Sequence, residues 1–441
     1  MLLEIVLFTV LTTAAALFAQ EKFSVPTPIS LIVIVVAASL AGYAPVPISE
    51  GEFDDIILVM LPLLIGVDAM LLRWKEIRAN AAGLFYLAGI MVVLSVAMAI
   101  LLNRNLLPDY HLDTAAVAAL FCMIMATDPV SVSSVFGKFH LPHNLKIMAE
   151  GESLFNDASA LIVFSIALTA MGFRNEHVGD DVLMYAINVV ALALPVGLVV
   201  GYVGLWAMRL VHDPMGETML VMAIAFGAFW LAEHFHASGI LAVIVAVLFA
   251  NSVITRRLEQ GEAVIAADKG ALPRKSLRQF LLNFDEAVKD TAAYQVVIGN
   301  LRFTAIIAAS VLFISMAQLI HVDILLKHWN EILSVFIGVT LIRMANLGVF
   351  AFISRRTDKI PTISLHWWMI LTGAGVKGAF SLLMLHMIPM NYQYRELFEA
   401  IVVGNVLLST FLYPAFLFAV IAAYRKIFEA EYQADHLRFE E

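Results

Sequence analysis

Long apolar runs recur from one end of the chain to the other, separated by short segments that hold most of the charged residues. The runs are close to the roughly 20 residues that a helix needs to cross about 30 Å of hydrocarbon, and they lack the alternation of barrel strands. The pattern predicts an all-α polytopic membrane protein with about thirteen transmembrane helices. The predicted spans cover residues 2–19, 29–44, 54–72, 82–102, 113–137, 147–172, 182–208, 216–235, 238–254, 301–321, 329–353, 363–387 and 398–424.

The composition agrees with a membrane protein. Of the 441 residues, 61% are hydrophobic and 14% are charged, whereas about 25% of the residues of a soluble domain are charged. The first run has no basic start and contains Glu4, so we expect a membrane helix there and not a cleaved signal peptide. The single cysteine, Cys122, excludes an intrachain disulfide bond, and the net charge of −9 gives no reason to expect a nucleic-acid partner.

The basic residues of the connecting segments predict the orientation of the chain. Segments after odd-numbered spans, together with the C-terminal tail, hold 21 lysines and arginines, whereas segments on the opposite side hold four. Because positive residues are retained on the cytoplasmic side, we expect the N-terminus outside and the C-terminus in the cytoplasm of a cell that carries this protein in its inner membrane. Apart from Arg302 at the very start of a span, which is counted with the preceding loop, only Arg343 and Lys377 fall within predicted spans.

We expect residues 1–441 to form a single transmembrane domain. The long cytoplasmic loop at 255–300 carries apolar residues at helical spacing between Leu277 and Val288, a pattern that fits either a helix on the membrane surface or a linker packed on the protein. Residues 425–441 are a short cytoplasmic tail.

Two spans are interrupted by residues that do not continue a helix. Span 5 contains ATDPVS and span 12 contains LTGAGVKGAF. An odd number of spans gives the two halves opposite orientations around a central helix, so spans 1–6 and 8–13 are predicted to be inverted repeats with discontinuous crossing helices 5 and 12. Paired interruptions of this kind indicate the ion site of a transporter.

Pro129 is expected to break span 5. Proline cannot donate to the carbonyl four residues earlier and moves Asp128 out of the α region, which leaves the backbone carbonyl of Thr127 available as a ligand. A simpler interpretation is that Asp128 only caps the second half-helix. Since an aspartate at mid-membrane costs about 2.5–3.5 kcal/mol, we expect Asp128 to bind a cation.

The segment AEGESLFNDASALIVF places carboxylates on two faces of a predicted helix. Ser153 and Asp157 share one face, where they can offer a hydroxyl and a carboxylate to a cation. Glu152 and Asn156 share another face about 100° away. Arg343 lies too deep to reach the membrane interface and is the expected partner of this second face.

Two further charged residues fall within predicted spans. Glu150 lies nearer the cytoplasmic end of the same helix and is expected to be solvated. Lys377 stands among glycines that either let helices pack closely or mark an unwound crossing whose half-helix ends the lysine helps to neutralise. We expect the second arrangement.

The charges predicted inside the membrane do not balance. They are three acids and two bases: Asp128, Glu152, Asp157, Arg343 and Lys377. One proton or one monovalent cation would compensate the remaining negative charge. Burial beside a second carboxylate favours the protonated form, so the proton and the cation can compete, which predicts an exchanger.

Four features together resemble the NhaP-type sodium/proton antiporters of the monovalent cation:proton antiporter-1 family: ATDPVSVSSVF, EGESLFNDASALIVF, HASGILAVIVAVLFAN and an intramembrane arginine. The resemblance covers most of the chain. It implies a homodimer of thirteen-helix protomers, each with an interface domain and a mobile bundle that carries Na⁺ or Li⁺ one way and protons the other. It implies no enzymatic activity and no cofactor.

The resemblance also assigns residues. The family's Na⁺ ligands correspond to Asp157, Asp128, Ser153 and the carbonyl of Thr127. Its structural polar cluster corresponds to Glu152, Asn156 and Arg343. The Asn-Asp pair is similar to the electroneutral branch of the family, which exchanges one cation for one proton.

The sequence departs from the family at two motifs. GVKG replaces the usual Gly-Leu-Arg-Gly, so Lys377 replaces an arginine and lacks its bidentate hydrogen bonding. LPLLIGVDAM replaces Leu-Pro-Pro-Leu-Leu-Phe and places Asp68 at a matching position. A potassium/proton or unselective monovalent cation antiporter, and a cation channel lined by the same carboxylates, remain alternative functions.

Overall fold

The structure is a computed structural model that describes residues 2–23, 25–43, 50–137, 139–173, 182–211, 213–267, 291–318, 321–357 and 360–440. Its regular elements within these ranges are all helical, as predicted. In the first half of the chain they are α1 (Leu2–Phe23), α2 (Thr27–Leu40), α3 (Glu50–Leu71), α4 (Trp74–Ala79), α5 (Ala81–Phe85), α6 (Met91–Leu106), α7 (Thr114–Met125), α8 (Pro129–Phe136), α9 (His143–Ala170) and α10 (Val182–Met208). In the second half they are α11 (Pro214–His234), α12 (Gly239–Ala267), α13 (Thr291–Gln318), α14 (Val322–Lys327), α15 (Trp329–Ser354), α16 (Leu365–Gly373), α17 (Ala379–His386), α18 (Arg395–Ala423) and α19 (Arg425–Glu440).

Among the described residues, nine helices are long and apolar enough to cross a membrane. They are α1, the continuous α5–α6 helix, α9, α10, α11, α12, α13, α15 and α18. Three shorter apolar helices also occur, within residues 27–39, 58–71 and 114–125. The all-α membrane fold is therefore confirmed, while the count of thirteen spans stays a prediction.

The helices extend further than predicted on both sides of the long loop. α12 continues to Ala267 and α13 begins at Thr291. The amphipathic segment between Leu277 and Val288 lies outside the described residues. Most of the predicted C-terminal tail is helix α19.

The chain divides into two compact units, each assembled from segments far apart in the sequence. Unit 1 consists of Met1–Leu58, Asn80–Val182 and Ala309–Glu441, and unit 2 consists of Val59–Ala79 and Leu183–Ala308. Every residue predicted to bind a cation or to support the site belongs to unit 1.

Unit 2 contains a close approach between two helices. A Cβ atom at Gly197 of α10 would lie 2.6 Å from the carbonyl oxygen of Ala242, and one at Gly201 would lie 2.7 Å from that of Ala246. Small residues four apart let helix backbones come together where lipid supplies no hydrophobic driving force. In the same unit, the amide nitrogen of Asn251 donates to two carbonyls at the end of α3, at 2.8 and 2.9 Å.

The packing of unit 1 includes a local irregularity between α5 and α6. Residues Tyr86–Ile90 form a π-helical turn, in which the hydrogen bonds span one residue more than in an α-helix. Tyr86 stacks on Phe350 of α15 with ring centroids 4.9 Å apart, and its hydroxyl donates to the carbonyl of Asn346 at 3.2 Å. These contacts hold the turn against the buried core of the unit.

Candidate cation and proton site

Two interrupted helices meet at their interruptions. α7 ends at Met125 and α8 begins at Pro129, while α16 ends at Gly373 and α17 begins at Ala379. The sequence predicted both breaks, at ATDPVS and LTGAGVKGAF. The backbone N–H of Asp128 donates to the carbonyl of Val376 at 2.8 Å, which joins the two breaks.

A glycine makes this approach sterically feasible. A Cβ atom at Gly378 would lie 2.6 Å from the Cβ of Asp128, closer than two such atoms come in proteins. The glycine is therefore required by the neighbouring backbone, and not by its own conformation, since its φ of −137° is open to any residue.

Asp128 is buried and caps helix α8. Its Oδ2 atom accepts from the backbone N–H of Ser131 at 3.1 Å and also from the Ser131 hydroxyl. The structure therefore contains the helix cap that the simpler interpretation of the sequence predicts. The cap fixes the carboxylate at the break, which is also where a cation-binding role would require it.

The face of α9 that carries Ser153 and Asp157 lies against the first break. Asp157 Oδ1 accepts from the backbone N–H of Thr127 at 3.2 Å, and the Thr127 hydroxyl donates to Ser153 Oγ at 3.0 Å. All three residues are less than 8% exposed. The structure therefore brings Thr127, Ser153 and Asp157 together, with Asp128 next to Thr127 in the chain.

The second face of α9 binds the ends of both helices that stop at a break. Asn156 donates to the carbonyl of Met125, the last residue of α7, at 2.7 Å. Glu152 Oε1 lies 2.7 Å from Arg343 Nη1, and Arg343 in turn donates to the carbonyl of Leu371 at 2.7 Å, near the end of α16. Because the last carbonyls of a helix have no partner within the helix, these contacts stabilise both interruptions in a buried environment.

Lys377 lies at the second break and is 3% exposed. Its backbone N–H donates to the hydroxyl of Ser409 at 2.9 Å. Its side chain lines a cavity of about 10 Å³, close to the minimum that holds one water molecule. The lining consists of Met91, Val92, Ser95, Met125, Asn156, Val339, Arg343 and Lys377. Within the part of the chain that the structure describes, Asn156 Oδ1 is a buried acceptor without a hydrogen-bond partner.

Two residues of the site were not singled out from the sequence. Ser131 and Ser409 bind the first and second break through their hydroxyls. Serine is common in membrane helices as a packing residue, so neither carried a distinctive signal.

The structure adds information on three acidic residues outside the proposed site. Glu150 is only partly solvated, because its side chain is 20% exposed and accepts from the Ser133 hydroxyl at 3.0 Å. Glu217, in unit 2, is 1% exposed and was not counted among the buried charges. Glu217 lies in the first turn of α11. Asp68 also belongs to unit 2, within α3.

The chain matches a family model described as the transmembrane sodium/hydrogen exchanger over residues 5–423. The chain belongs to the sodium/hydrogen exchanger family. The resemblance to NhaP-type antiporters predicted from the motifs is thereby confirmed, and so is a multi-pass membrane protein of a transporter family.

Individual members of the exchanger family align along most of their length. The Na⁺/H⁺ antiporter NhaG of Bacillus atrophaeus is 26% identical over 411 residues, which cover 89% of this chain and 69% of the relative. The Na⁺/H⁺ antiporter NhaH of Halobacillus dabanensis is 26% identical over 397 residues, 86% of each chain. The solved sodium proton antiporter MjNhaP1 of Methanocaldococcus jannaschii shares the fold, with a TM-score of 0.69 at 16% identity over 93% of this chain and 97% of that one.

Proposed function

We propose that this protein is a secondary active antiporter that exchanges Na⁺ or Li⁺ for H⁺ across the cell membrane, one ion for one proton. The observation that carries the proposal is the contact of the first helix break with α9, where Thr127 bonds both Asp157 and Ser153 in a buried position. The relatives named as Na⁺/H⁺ antiporters support Na⁺ and H⁺ as the two exchanged ions.

The proposed cation site consists of oxygen atoms from both sides of the contact. Asp157, Asp128 and Ser153 supply carboxylate and hydroxyl oxygens, and Thr127 supplies its backbone carbonyl. Such oxygens can replace the hydration shell of an alkali cation. In this proposal the two carboxylates hold the ion, and the hydroxyl and carbonyl complete its coordination.

Competition between the proton and the cation couples the two fluxes. The site region holds three carboxylates, Asp128, Glu152 and Asp157, against the cations Arg343 and Lys377, so one more positive charge balances it. A proton on a carboxylate removes the charge that attracts the cation, and a bound cation opposes protonation. Either guest alone neutralises the region, so each transport cycle moves one charge in each direction.

The second face of α9 has a structural part in this proposal. Glu152 and Arg343 neutralise each other at 2.7 Å, and Asn156 binds the end of α7. A rigid scaffold of this kind keeps the ligand oxygens at fixed positions. Lys377 contributes positive charge beside the site without binding the cation.

The assembly and orientation are also part of the proposal. We expect a homodimer in the inner membrane, as the resemblance to the family implies. We expect the N-terminus outside and the C-terminus in the cytoplasm, because the basic residues concentrate in segments on the same side as the C-terminal tail. Sodium-dependent proton movement in that orientation would serve pH homeostasis.

The test is ion-driven proton flux in reconstituted vesicles that carry a pH gradient. Addition of Na⁺ or Li⁺ should collapse the gradient, and the rate should not change when the membrane potential is clamped to zero. A larger response to K⁺ would identify a potassium antiporter, and current without proton movement would identify a channel.

Asp157→Asn should abolish the flux while the protein stays folded. Asp213→Asn is the matched control, because Asp213 is an exposed cap of α11 and asparagine caps a helix equally well. Exchange at the parental rate by Asp157→Asn would show that the site is misassigned.

A further inference from the structure

A stripe of polar side chains runs along one face of α9 from the start of the helix to the proposed ion site. Lys146, Glu150, Ser153 and Asp157 are spaced by four, three and four residues, the spacing of neighbours on a helix surface. The side chains of Lys146 and Glu150 are 43% and 20% exposed, whereas Ser153 and Asp157 are 1% and 7% exposed. Exposure to solvent therefore falls along the stripe.

Helix α8 lies beside the outer end of this stripe and supplies one hydroxyl group to it. Ser133 donates to Glu150 Oε1 at 3.0 Å, and Ser131 on the same helix donates to the carboxylate of Asp128. The two serines of α8 thus each bind one carboxylate, one at the outer end of the stripe and one at the break. Glu150 and Asp157 are separated by about 10 Å along the helix axis.

The arrangement of Lys146 and Glu150 does not serve the stability of the helix. Their 3.9 Å contact is an i, i+4 pair with the lysine first, the less favourable order. Lys146 also lies in the first turn of α9, where the helix dipole disfavours positive charge. An exposed pair of this kind contributes little to folding. Helix stability therefore does not explain why a carboxylate and a cation occupy these positions.

We propose that Glu150, with the hydroxyl of Ser133, is an outer binding position for Na⁺ on the path between solvent at the start of α9 and the site at Asp157. This proposal rests on the proposed antiport function and adds a second position to it. The positively charged ammonium group of Lys146 lies near Glu150, and an entering Na⁺ takes its place beside the carboxylate. A partly buried carboxylate here raises the local concentration of cations at the mouth of the path.

The first test is the dependence of exchange on Na⁺ concentration. At low ionic strength, Glu150→Gln should raise the Na⁺ concentration for half-maximal exchange about three- to tenfold, while the maximal rate changes by less than about twofold. Lys146→Gln should shift the half-maximal concentration the opposite way. Both shifts should shrink when choline chloride screens the charges.

Glu429→Gln is the matched control for these measurements. It removes a carboxylate of the same type that is exposed on α19 and paired with Arg425, away from the stripe. It should leave the concentration dependence unchanged. An unchanged half-maximal concentration in Glu150→Gln, or a fall in maximal rate alone, would overturn the proposal.

The second test uses thiol labelling, for which the chain is well suited. Its only cysteine, Cys122, is fully buried, so the parental protein provides a low background. Ser133→Cys should react with a charged, membrane-impermeant thiol reagent added on the side where α9 begins, and Na⁺ should slow that reaction. The protection should persist in Ser133→Cys combined with Asp157→Asn, because the outer position does not include Asp157.

The two proposals fail in different ways. Absence of Na⁺-driven proton flux in the parental protein would defeat the antiport function. If the parental protein exchanges ions but Na⁺ does not slow labelling at position 133, only the outer position is wrong. Protection that disappears with Asp157→Asn would also reject it, because the ion would then be sensed from the inner site.

Discussion

The backbone N–H of Asp128 donates a 2.8 Å hydrogen bond to the carbonyl of Val376, so the interruption of one helix is bonded directly to the interruption of the other. The bond links α7 and α8 to α16 and α17 at the level of Asp128. A displacement of one interrupted helix must therefore move the other or break this hydrogen bond. The geometry of the proposed site depends on both helices.

Gly378→Ala should disrupt this junction. The new Cβ would lie 2.6 Å from the Cβ of Asp128, so one of the two backbones must shift. We expect Na⁺-driven proton flux to fall at least about tenfold, since displacements near 1 Å in a preorganised site have effects of this size. Gly348→Ala is the control, because no atom lies within 4 Å of its Cβ position. Equal flux in the two variants would contradict the prediction.

Glu152→Gln should destabilise the protein strongly. Arg343 is 4% exposed, and loss of its partner at 2.7 Å leaves a buried charge, at a cost of about 3–5 kcal/mol. The measurement is thermal unfolding in detergent. Glu396→Gln breaks the exposed pair with Lys327, which is 2.6 Å long, and should leave the melting temperature nearly unchanged. A melting temperature for Glu152→Gln above that of Glu396→Gln would show that the buried pair is dispensable.

Lys377→Met should move the pH dependence of exchange to higher pH. The substitution keeps most of the side-chain volume and removes a positive charge at the second helix break, which is bonded to Asp128 through Val376. In the proposed site, loss of that charge favours the proton over an empty site, so a higher pH is needed before a cation can replace the proton. We expect a shift of about 0.5–1.5 pH units in the profile of Na⁺-driven flux. Lys327→Met, at an exposed position, should leave the profile in place.

Glu431→Gln should loosen the C-terminal helix α19 from the rest of unit 1. Glu431 of α19 contacts His366 at 2.8 Å and accepts from the indole of Trp367 at 2.9 Å, both in the first turn of α16. Loss of the charge should weaken these contacts by about 1 kcal/mol. Limited proteolysis of α19 measures the effect, and Glu429→Gln on the same helix should be cleaved at the parental rate.

The sequence was informative where a single residue type forces the backbone or where periodicity is regular. Pro129 predicted the first break, the glycines around Lys377 predicted the second, and the period of α9 separated the face of Asp157 from that of Glu152. These features depend on local chemistry, which a sequence displays directly.

Contacts between distant segments could not be predicted in the same way. The hydrogen bond between Asp128 and Val376 joins a backbone N–H to a backbone carbonyl. Because such groups occur throughout the chain, no side chain in the sequence indicates this bond. The burial of Glu217 could not be predicted, because hydropathy does not distinguish a buried first turn of a helix from an exposed one. Glu150 was expected to be solvated because it lies nearer the cytoplasmic end of α9. Its partner Ser133 comes from a separate helix, which the sequence alone does not place beside it.

Because of the π-helical turn at Tyr86–Ile90, we expect the α5–α6 helix to tolerate the deletion of one residue within that turn. Such a turn contains one residue more than regular helix needs, so removing Gly89, whose Cβ position has no atom within 4 Å, could restore an α-helical turn. The flanking segments would keep their faces towards their present neighbours. The same deletion a few residues further on, within α6, would rotate one flank by about 100° and turn its buried face outwards.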